Sequence, residues 1–114
     1  MATAISKLVE SEYILKADEG TDNPATFTLR PLTGLQRIAV RQAIGEGNEE
    51  KIHRLCLVYG LAGWKNLKDA DGHAVAWAPG NMDRNLDCLA ENDIYELARA
   101  VFSSSFLTEA ERKN

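Results

Sequence analysis

Two histidines and two cysteines are the side chains in this sequence that could together hold a zinc ion. His53 and Cys56 are one helical turn apart, and with His73 and Cys88 they supply the ligand types of a tetrahedral zinc site. The interval between His73 and Cys88 matches no familiar ligand pairing, however, and Cys56 also fits an apolar helical pattern. We therefore expect no zinc site. A small metal-dependent enzyme stays as an alternative that stoichiometric zinc in the purified protein would reveal.

The two cysteines also give little sign of nucleophilic chemistry. A reactive thiolate needs an electropositive, partly exposed setting, whereas Cys56 lies between Leu55 and Leu57. Free cysteine in an apolar helical pattern behaves as a small hydrophobic residue, and Cys88 is interpreted in the same way. We expect both cysteines in the core, reduced and unbridged.

Other short patterns that resemble catalytic or ligand-binding motifs have simpler explanations. The run Asp69-Ala70-Asp71-Gly72 resembles a calcium loop but lacks the further acidic ligands and the closing glutamate, so a hairpin turn is expected. Ser103-Ser104-Ser105 has no adjacent histidine and marks a fraying helix end. The sequence contains neither GxxxxGK[ST] nor GxGxxG. We expect no enzymatic activity and no cofactor.

Like charges recur at helical spacing in two places. Arg37 and Arg41 are four residues apart, and acidic residues recur every four positions at Asp83, Asp87 and Glu91. Each such pair destabilises an isolated helix by roughly 0.2–0.5 kcal/mol. Two interpretations stay open: solvated helix faces, or an acidic stripe on one copy that contacts the basic stripe on the next copy of a homo-oligomer.

Three aromatic residues can also be interpreted in two ways. Trp64, Trp77 and Phe106 can pack in the core or in a hairpin, but a tryptophan in a glycine-flanked loop can equally be an interface anchor. The candidate partner-binding residues are therefore Arg37, Arg41, Trp64, Asp83, Asp87, Glu91 and Phe106. We predict no catalytic, cofactor-binding or metal-binding residue.

Composition predicts an ordinary globular domain. The chain has 114 residues, of which 45% are hydrophobic and 26% charged, so we expect a single domain over 1–114 with 1–10 and 108–114 as candidate flexible ends. A formal net charge of −4 argues against a nucleic-acid partner, which requires clustered cations. The first residues lack the apolar run of a signal peptide, and no apolar run approaches the roughly 20 residues of a membrane helix. These features predict a cytoplasmic protein without a membrane partner.

The first part of the chain indicates a strand pair. Imperfect alternation over 11–17 and at Phe27 and Leu29, on either side of a turn-rich loop over 18–24, predicts two antiparallel strands. Pro31 should end the second strand because proline cannot donate a ladder hydrogen bond.

Helices are predicted after this pair. Thr33 and Gln36 form a capping-box pattern, and the helix that follows should end at 45–47, with Leu35, Ile38, Ala39 and Ile44 facing the core. Asn48 should cap a second helix, whose apolar stripe is Ile52, Leu55, Cys56 and Tyr59.

The second half should contain a hairpin and two further helices. Gly60 and Gly63 should let the chain leave the second helix in a left-handed conformation. A tight turn at Asp71-Gly72 should join 64–67 to 75–77, Asn81 should cap a short helix and Asn92 a longer one. The predicted fold is α+β, a mainly helical small domain with an N-terminal antiparallel strand pair and a short central hairpin.

The order of these features resembles the tail assembly chaperones of long-tailed bacteriophages. The resemblance covers 27–114 and is carried by four pieces: 29–34 (LRPLTG), 60–64 (GLAGW), Asp71-Gly72 and the closing 107–114 (LTEAERKN). It implies a non-enzymatic protein of the host cytoplasm that binds the long tape measure protein, assists tail tube assembly and is absent from the mature virion. A structural head–tail or minor tail component retained in the particle is the alternative.

The resemblance also implies a second, longer product. Many members of this family are made in two forms by a programmed frameshift, and this chain resembles the short form. Thr108 and Glu111 form another capping-box pattern with almost no helix after it, and Lys113-Asn114 is a suggestive place for ribosomal slippage. The longer form would be the one that engages tail tube subunits.

Overall fold

This computed structural model describes residues 9–107, which contain three strands and four α-helices. In chain order the elements are β1 (Ser11–Ile14), a 3-10 turn (Lys16–Asp18), β2 (Thr26–Leu29), α1 (Gly34–Glu46), α2 (Glu49–Gly60), β3 (Leu61–Lys65), α3 (Met82–Asp87), α4 (Glu91–Phe102) and a π-helical turn (Ser103–Leu107). The predicted α+β class is confirmed. The capping pattern at Thr108 and Glu111 lies outside the described residues, as do most of the predicted flexible ends.

The sheet is antiparallel, with the strand order β1-β2-β3. Tyr13 of β1 lies opposite Phe27 of β2, and Phe27 lies opposite Trp64 of β3. The N-terminal strand pair was predicted, but β3 was predicted only where it overlaps the hairpin arm 64–67, because Gly60 and Gly63 were interpreted as an exit from α2. The expected left-handed exit from α2 is wrong, since neither Gly60 nor Gly63 has a positive φ.

Gly60 is needed for close packing rather than for an unusual backbone conformation. A Cβ atom at this position would lie 2.4 Å from Cγ1 of Val101 and 3.2 Å from the carbonyl oxygen of Arg30. The Gly60 carbonyl also accepts a 2.8 Å hydrogen bond from the Arg30 amide. The end of α2 therefore approaches both α4 and the chain after β2 at distances that exclude a side chain.

Local signals set the ends of α1 correctly. The Thr33 hydroxyl accepts from the Gln36 amide and the Gln36 side chain accepts from the Thr33 amide, which completes the predicted capping box. Gly47 ends the helix in the left-handed conformation, at φ 69°.

The predicted core face of α1 is wrong. Val40 and Ala43 are buried, whereas Leu35 is 81% exposed, Ile38 50% and Ile44 45%. Large apolar residues occur around most of this helix, so the sequence pattern did not distinguish the buried side from the opposite one. The helix packs through its smaller apolar residues and leaves three larger ones in contact with solvent.

Two of the three later helices begin where the sequence predicts, and α4 begins slightly earlier. Asn48 and Asn81 cap α2 and α3 through their side chains, as predicted. Asn92 does not cap α4, because the helix begins at Glu91 and the Ala90 carbonyl accepts from the Ile94 amide. The Ala90 side chain makes no capping hydrogen bond.

The serine run after α4 is ordered by a specific contact. Ser105 is fully buried, and its hydroxyl accepts a 2.9 Å hydrogen bond from the Leu32 amide in the connection between β2 and α1. The expected fraying of Ser103–Ser105 is therefore wrong. One π-helical turn continues α4 and fixes it to the start of α1.

A continuous apolar core joins the sheet to the helices. It includes residues of β2, β3, α1, α2, α4 and the connection between β2 and α1, namely Phe27, Leu29, Leu32, Val40, Cys56, Leu57, Leu61, Leu97, Ala98 and Val101. Within residues 9–107, none of the helices is both long and apolar enough to cross a membrane.

Candidate partner-binding site

Arginine and phenylalanine side chains meet where α1 lies beside the end of α4. Phe106 stacks on Phe102 with ring centroids 4.5 Å apart, because the π-helical turn places the two rings on one side. The guanidinium carbons of Arg37 and Arg41 lie 6.0 and 5.3 Å from the Phe106 ring centroid. A cation over an aromatic ring contributes about 0.5–1 kcal/mol at an exposed site. We call these four residues the arginine–phenylalanine cluster.

The structure thus brings together three of the predicted partner-binding residues, Arg37, Arg41 and Phe106. The spacing of the arginines was visible in the sequence. Their approach to Phe106 was not, because the contact spans the whole helical part of the chain.

An apolar pocket adjoins the arginine–phenylalanine cluster. It has a volume of about 240 Å³ and lies between α1, α2 and α4, where its lining residues are Ile44, Ile52, His53, Cys56, Ala98, Arg99 and Phe102. We call it the α1–α2–α4 pocket. Phe102 belongs to both features, so the pocket and the arginines form one surface. No sequence pattern indicated this pocket, since its lining comes from three separate helices.

Cys56 lines this pocket as a protonated thiol. The residue is 1% exposed, and burial raises the pKa of the thiol to about 11. A thiol of this kind is a weak nucleophile and a weak metal ligand at neutral pH. The prediction that Cys56 belongs to the core is confirmed.

The opposite end of the pocket carries acidic residues. The His53 ring packs against Tyr95 at 4.8 Å, and the Tyr95 hydroxyl donates a 2.7 Å hydrogen bond to Glu91. This hydrogen bond raises the pKa of Tyr95, and the charges of Glu91, Glu50 and Glu49 act in the same direction. The surface therefore changes from basic to acidic along the pocket.

The predicted acidic stripe is not continuous. Asp83 and Asp87 belong to α3, which ends at Asp87, whereas Glu91 begins α4. Asp83 forms an exposed 3.2 Å ion pair with Arg54 of α2 rather than contacting either arginine of α1. The three acidic residues consequently lie on two helices that are separated by a break.

Trp64 is engaged within the chain. Its indole nitrogen donates a 2.8 Å hydrogen bond to the Val75 carbonyl, and its ring meets Trp77 edge-on at 4.9 Å and Phe27 at 6.2 Å. The tryptophan remains half-buried. It fixes the central hairpin to the sheet, which matches the simpler of the two interpretations of this residue.

The central hairpin closes around Asp71-Gly72, as predicted. Lys68 and Ala74 pair across it, and Gly72 adopts a φ of 83°. One carboxylate oxygen of Asp69 accepts 2.9 Å hydrogen bonds from the amides of Asp71 and His73. The Asp69 carboxylate thus stabilises the backbone of this turn.

Potential metal ligands approach one another at this exposed turn. Within residues 9–107, the group of three or more candidate ligands that lie close together is Asp69, Asp71 and His73, and it includes neither His53 nor a cysteine. Cys88 is exposed, so its assignment to the core is wrong; it follows the end of α3, and Leu89 takes the buried position instead. Both cysteines are free thiols.

Comparison with known proteins finds no relative for this chain. No protein-family model, no curated protein and no solved structure matches it.

Proposed function

We propose that this protein is a tail assembly chaperone of a long-tailed bacteriophage. It acts in the host cytoplasm without catalysis or a cofactor, binds the tape measure protein, assists tail tube assembly and is absent from the mature virion. The order and spacing of the four sequence pieces described above support this proposal. Contacts with tail tube subunits belong to a longer frameshifted form.

The exposed apolar residues of α1 are the observation that carries the proposal. Within residues 9–107 the large hydrophobic side chains exposed to solvent are Val9, Leu35, Ile38 and Ile44, and three of these lie on α1. Single apolar residues are normal on a protein surface, whereas neighbouring ones that form a contiguous patch indicate a binding surface. Leu35 and Ile38 are three residues apart and share one side of the helix.

Such a surface suits a long helical client. A tape measure protein presents apolar helical surface along a rod, and that surface would aggregate unless covered. A chaperone of this size can cover a rod only as many copies, and head-to-tail contacts between copies produce rings or open helical arrays. We therefore infer a homo-oligomer on the client.

Co-purification tests the proposal. We expect the wild-type protein to capture the product of the neighbouring tape measure gene and the Leu35→Ser/Ile38→Ser variant to lose it. Gln42→Ser, an exposed change on the same helix, is the matched control and should retain capture. Absence of capture by the wild-type protein contradicts the proposal. Detection of the protein in purified virions by mass spectrometry would favour a structural tail component instead.

A further inference from the structure

We propose that the α1–α2–α4 pocket is the docking site for an acidic amphipathic helix of a partner protein. The pocket and the arginine–phenylalanine cluster together supply the apolar and the charged half of such a site. This inference deepens the proposed function, and the identification of the partner as the tape measure protein rests on that function.

The size and lining of the pocket favour side chains of a helix over a small ligand. A volume of about 240 Å³ is below the roughly 300–1,000 Å³ typical of ligand pockets. A helix that binds in a groove inserts one or two apolar residues spaced three or four positions apart. The lining includes both exposed and buried residues: Ile44 is 45% exposed, whereas Cys56 and Ala98 are each 1% exposed.

The positive charge beside the pocket favours a helix with acidic residues. Arg99 lines the pocket, and Arg41 lies over Phe106 at its edge. In the part of the chain that the structure describes, neither of these two arginines forms a salt bridge. Carboxylates flanking the apolar residues of a docked helix would pair with these guanidinium groups, which bind carboxylates in bidentate geometry. Glu49, Glu50 and Glu91 surround Tyr95, which packs against the pocket residue His53, and their charges would repel carboxylates from that side.

A second copy of this chain fits the pocket less well. The α1 helix of another copy could insert Leu35 or Ile38. The arginines of that helix would then lie close to the arginines beside the pocket, and the like charges would repel. The acidic helix α3 carries the right charge, yet no large hydrophobic side chain of α3 is exposed. An acidic partner helix satisfies both requirements at once.

Two designed peptides of equal length test the inference. Both carry leucines at positions i and i+4, one flanked by glutamates and the other by lysines, and their affinities are measured by fluorescence anisotropy. We expect the glutamate peptide to bind at least about tenfold more tightly, a difference of about 1.4 kcal/mol. Arg41→Glu/Arg99→Glu should reverse the preference, Ile44→Glu should abolish binding of both peptides, and Lys68→Glu in the exposed hairpin should change nothing.

Reversal of the preference is a gain of binding that a misfolded variant cannot give. Equal affinity for both peptides, absence of binding, or an unchanged preference in Arg41→Glu/Arg99→Glu would overturn the inference. Loss of self-association in Ile44→Glu without any peptide binding would also overturn it, because the pocket would then be an interface between copies.

Capture of the tape measure product separates this inference from the proposed function. If the wild-type protein and the pocket variants capture that product equally well, the proposed docking site is wrong and the proposed function stands. Peptide binding without capture of that product would support the docking site and contradict the proposed function.

Discussion

Gly60 shows how one residue without a side chain controls the packing of two helices. A Cβ atom there would lie 2.4 and 2.9 Å from the two methyl carbons of Val101. We expect Gly60→Ala to lower the free energy of unfolding by about 1–3 kcal/mol, the usual cost of overpacking a core. Gly63→Ala on the neighbouring strand is the matched control, since nothing lies within 4 Å of the place that its Cβ atom would take.

A double substitution separates this steric effect from a general loss of stability. Val101→Ala removes both methyl groups that obstruct the new Cβ atom, so the Gly60→Ala/Val101→Ala protein should be less destabilised than the sum of the two single changes. Urea denaturation of the four proteins gives the coupling energy. Strict additivity would show that Val101 does not cause the effect.

Tyr13 links the sheet to α4, and it should make the free energy of unfolding decrease as the pH rises above 10. Burial raises the pKa of its phenol to about 12, and the 2.7 Å hydrogen bond to Glu96 acts in the same direction. The folded pKa lies above the ordinary value of 10.0, so the stabilisation is fully present below pH 10 and is lost as pH rises towards 12. The advantage of the wild-type protein over Tyr13→Phe should therefore shrink over this interval.

Denaturant unfolding of both proteins across that pH range measures the effect. The pKa values of Tyr13 and Tyr95 are both raised, so the wild-type protein should show phenolate absorbance changes later than free tyrosine, and the change near pH 12 should be missing in Tyr13→Phe. A constant stability difference between the two proteins at every pH would contradict the structural role given to Tyr13.

A buried hydrogen bond joins the π-helical turn after α4 to the segment that precedes α1. Ser105→Ala removes the acceptor of the Leu32 amide and leaves that amide buried without a partner, a change that costs about 1–3 kcal/mol. Ser104→Ala is the control, because the exposed Ser104 hydroxyl contacts only the Val101 carbonyl one turn earlier. Thermal melts should separate the two variants clearly, and equal melting temperatures would show that the turn contributes no stability.

The starts of α1, α2 and α3 and the buried face of α2 were predictable from sequence, whereas the buried face of α1 was not. Caps at Thr33, Asn48 and Asn81 depend on residues within one turn, so their signals are complete in the local sequence. The buried side of α1 depends on which elements pack against it. That information is distributed over α2 and the core, which is why periodicity alone assigns Leu35 and Ile38 to the wrong side.

The candidate site was predictable in part for the same reason. Arg37 and Arg41 are conspicuous because their spacing is local, and Phe106 is conspicuous as an aromatic residue near the end of the chain. The pocket next to them consists of residues from three helices that tertiary packing brings together. No periodicity within one helix could indicate it.

At the scale of the whole molecule, charge should govern contacts between copies. Arg37 and Arg41 lie on α1, while Asp83 and Asp87 lie on α3, so a head-to-tail contact can pair them between neighbours. Salt screens such contacts over about 8–10 Å, and we expect self-association to weaken as salt rises. Arg37→Glu/Arg41→Glu should mimic high salt, and Lys68→Glu should not. A strict monomer in sedimentation at high concentration and low salt would remove this expectation.

The solubility of the client gives the sharpest test of chaperone function. The tape measure product is produced alone, with the wild-type protein, or with the Leu35→Ser/Ile38→Ser variant, and its soluble fraction is compared. We predict a largely insoluble client alone, a soluble client with the wild-type protein, and no rescue by the variant although it remains folded. A client that is equally soluble in all three cultures, or equally insoluble with and without the wild-type protein, would contradict the proposed function.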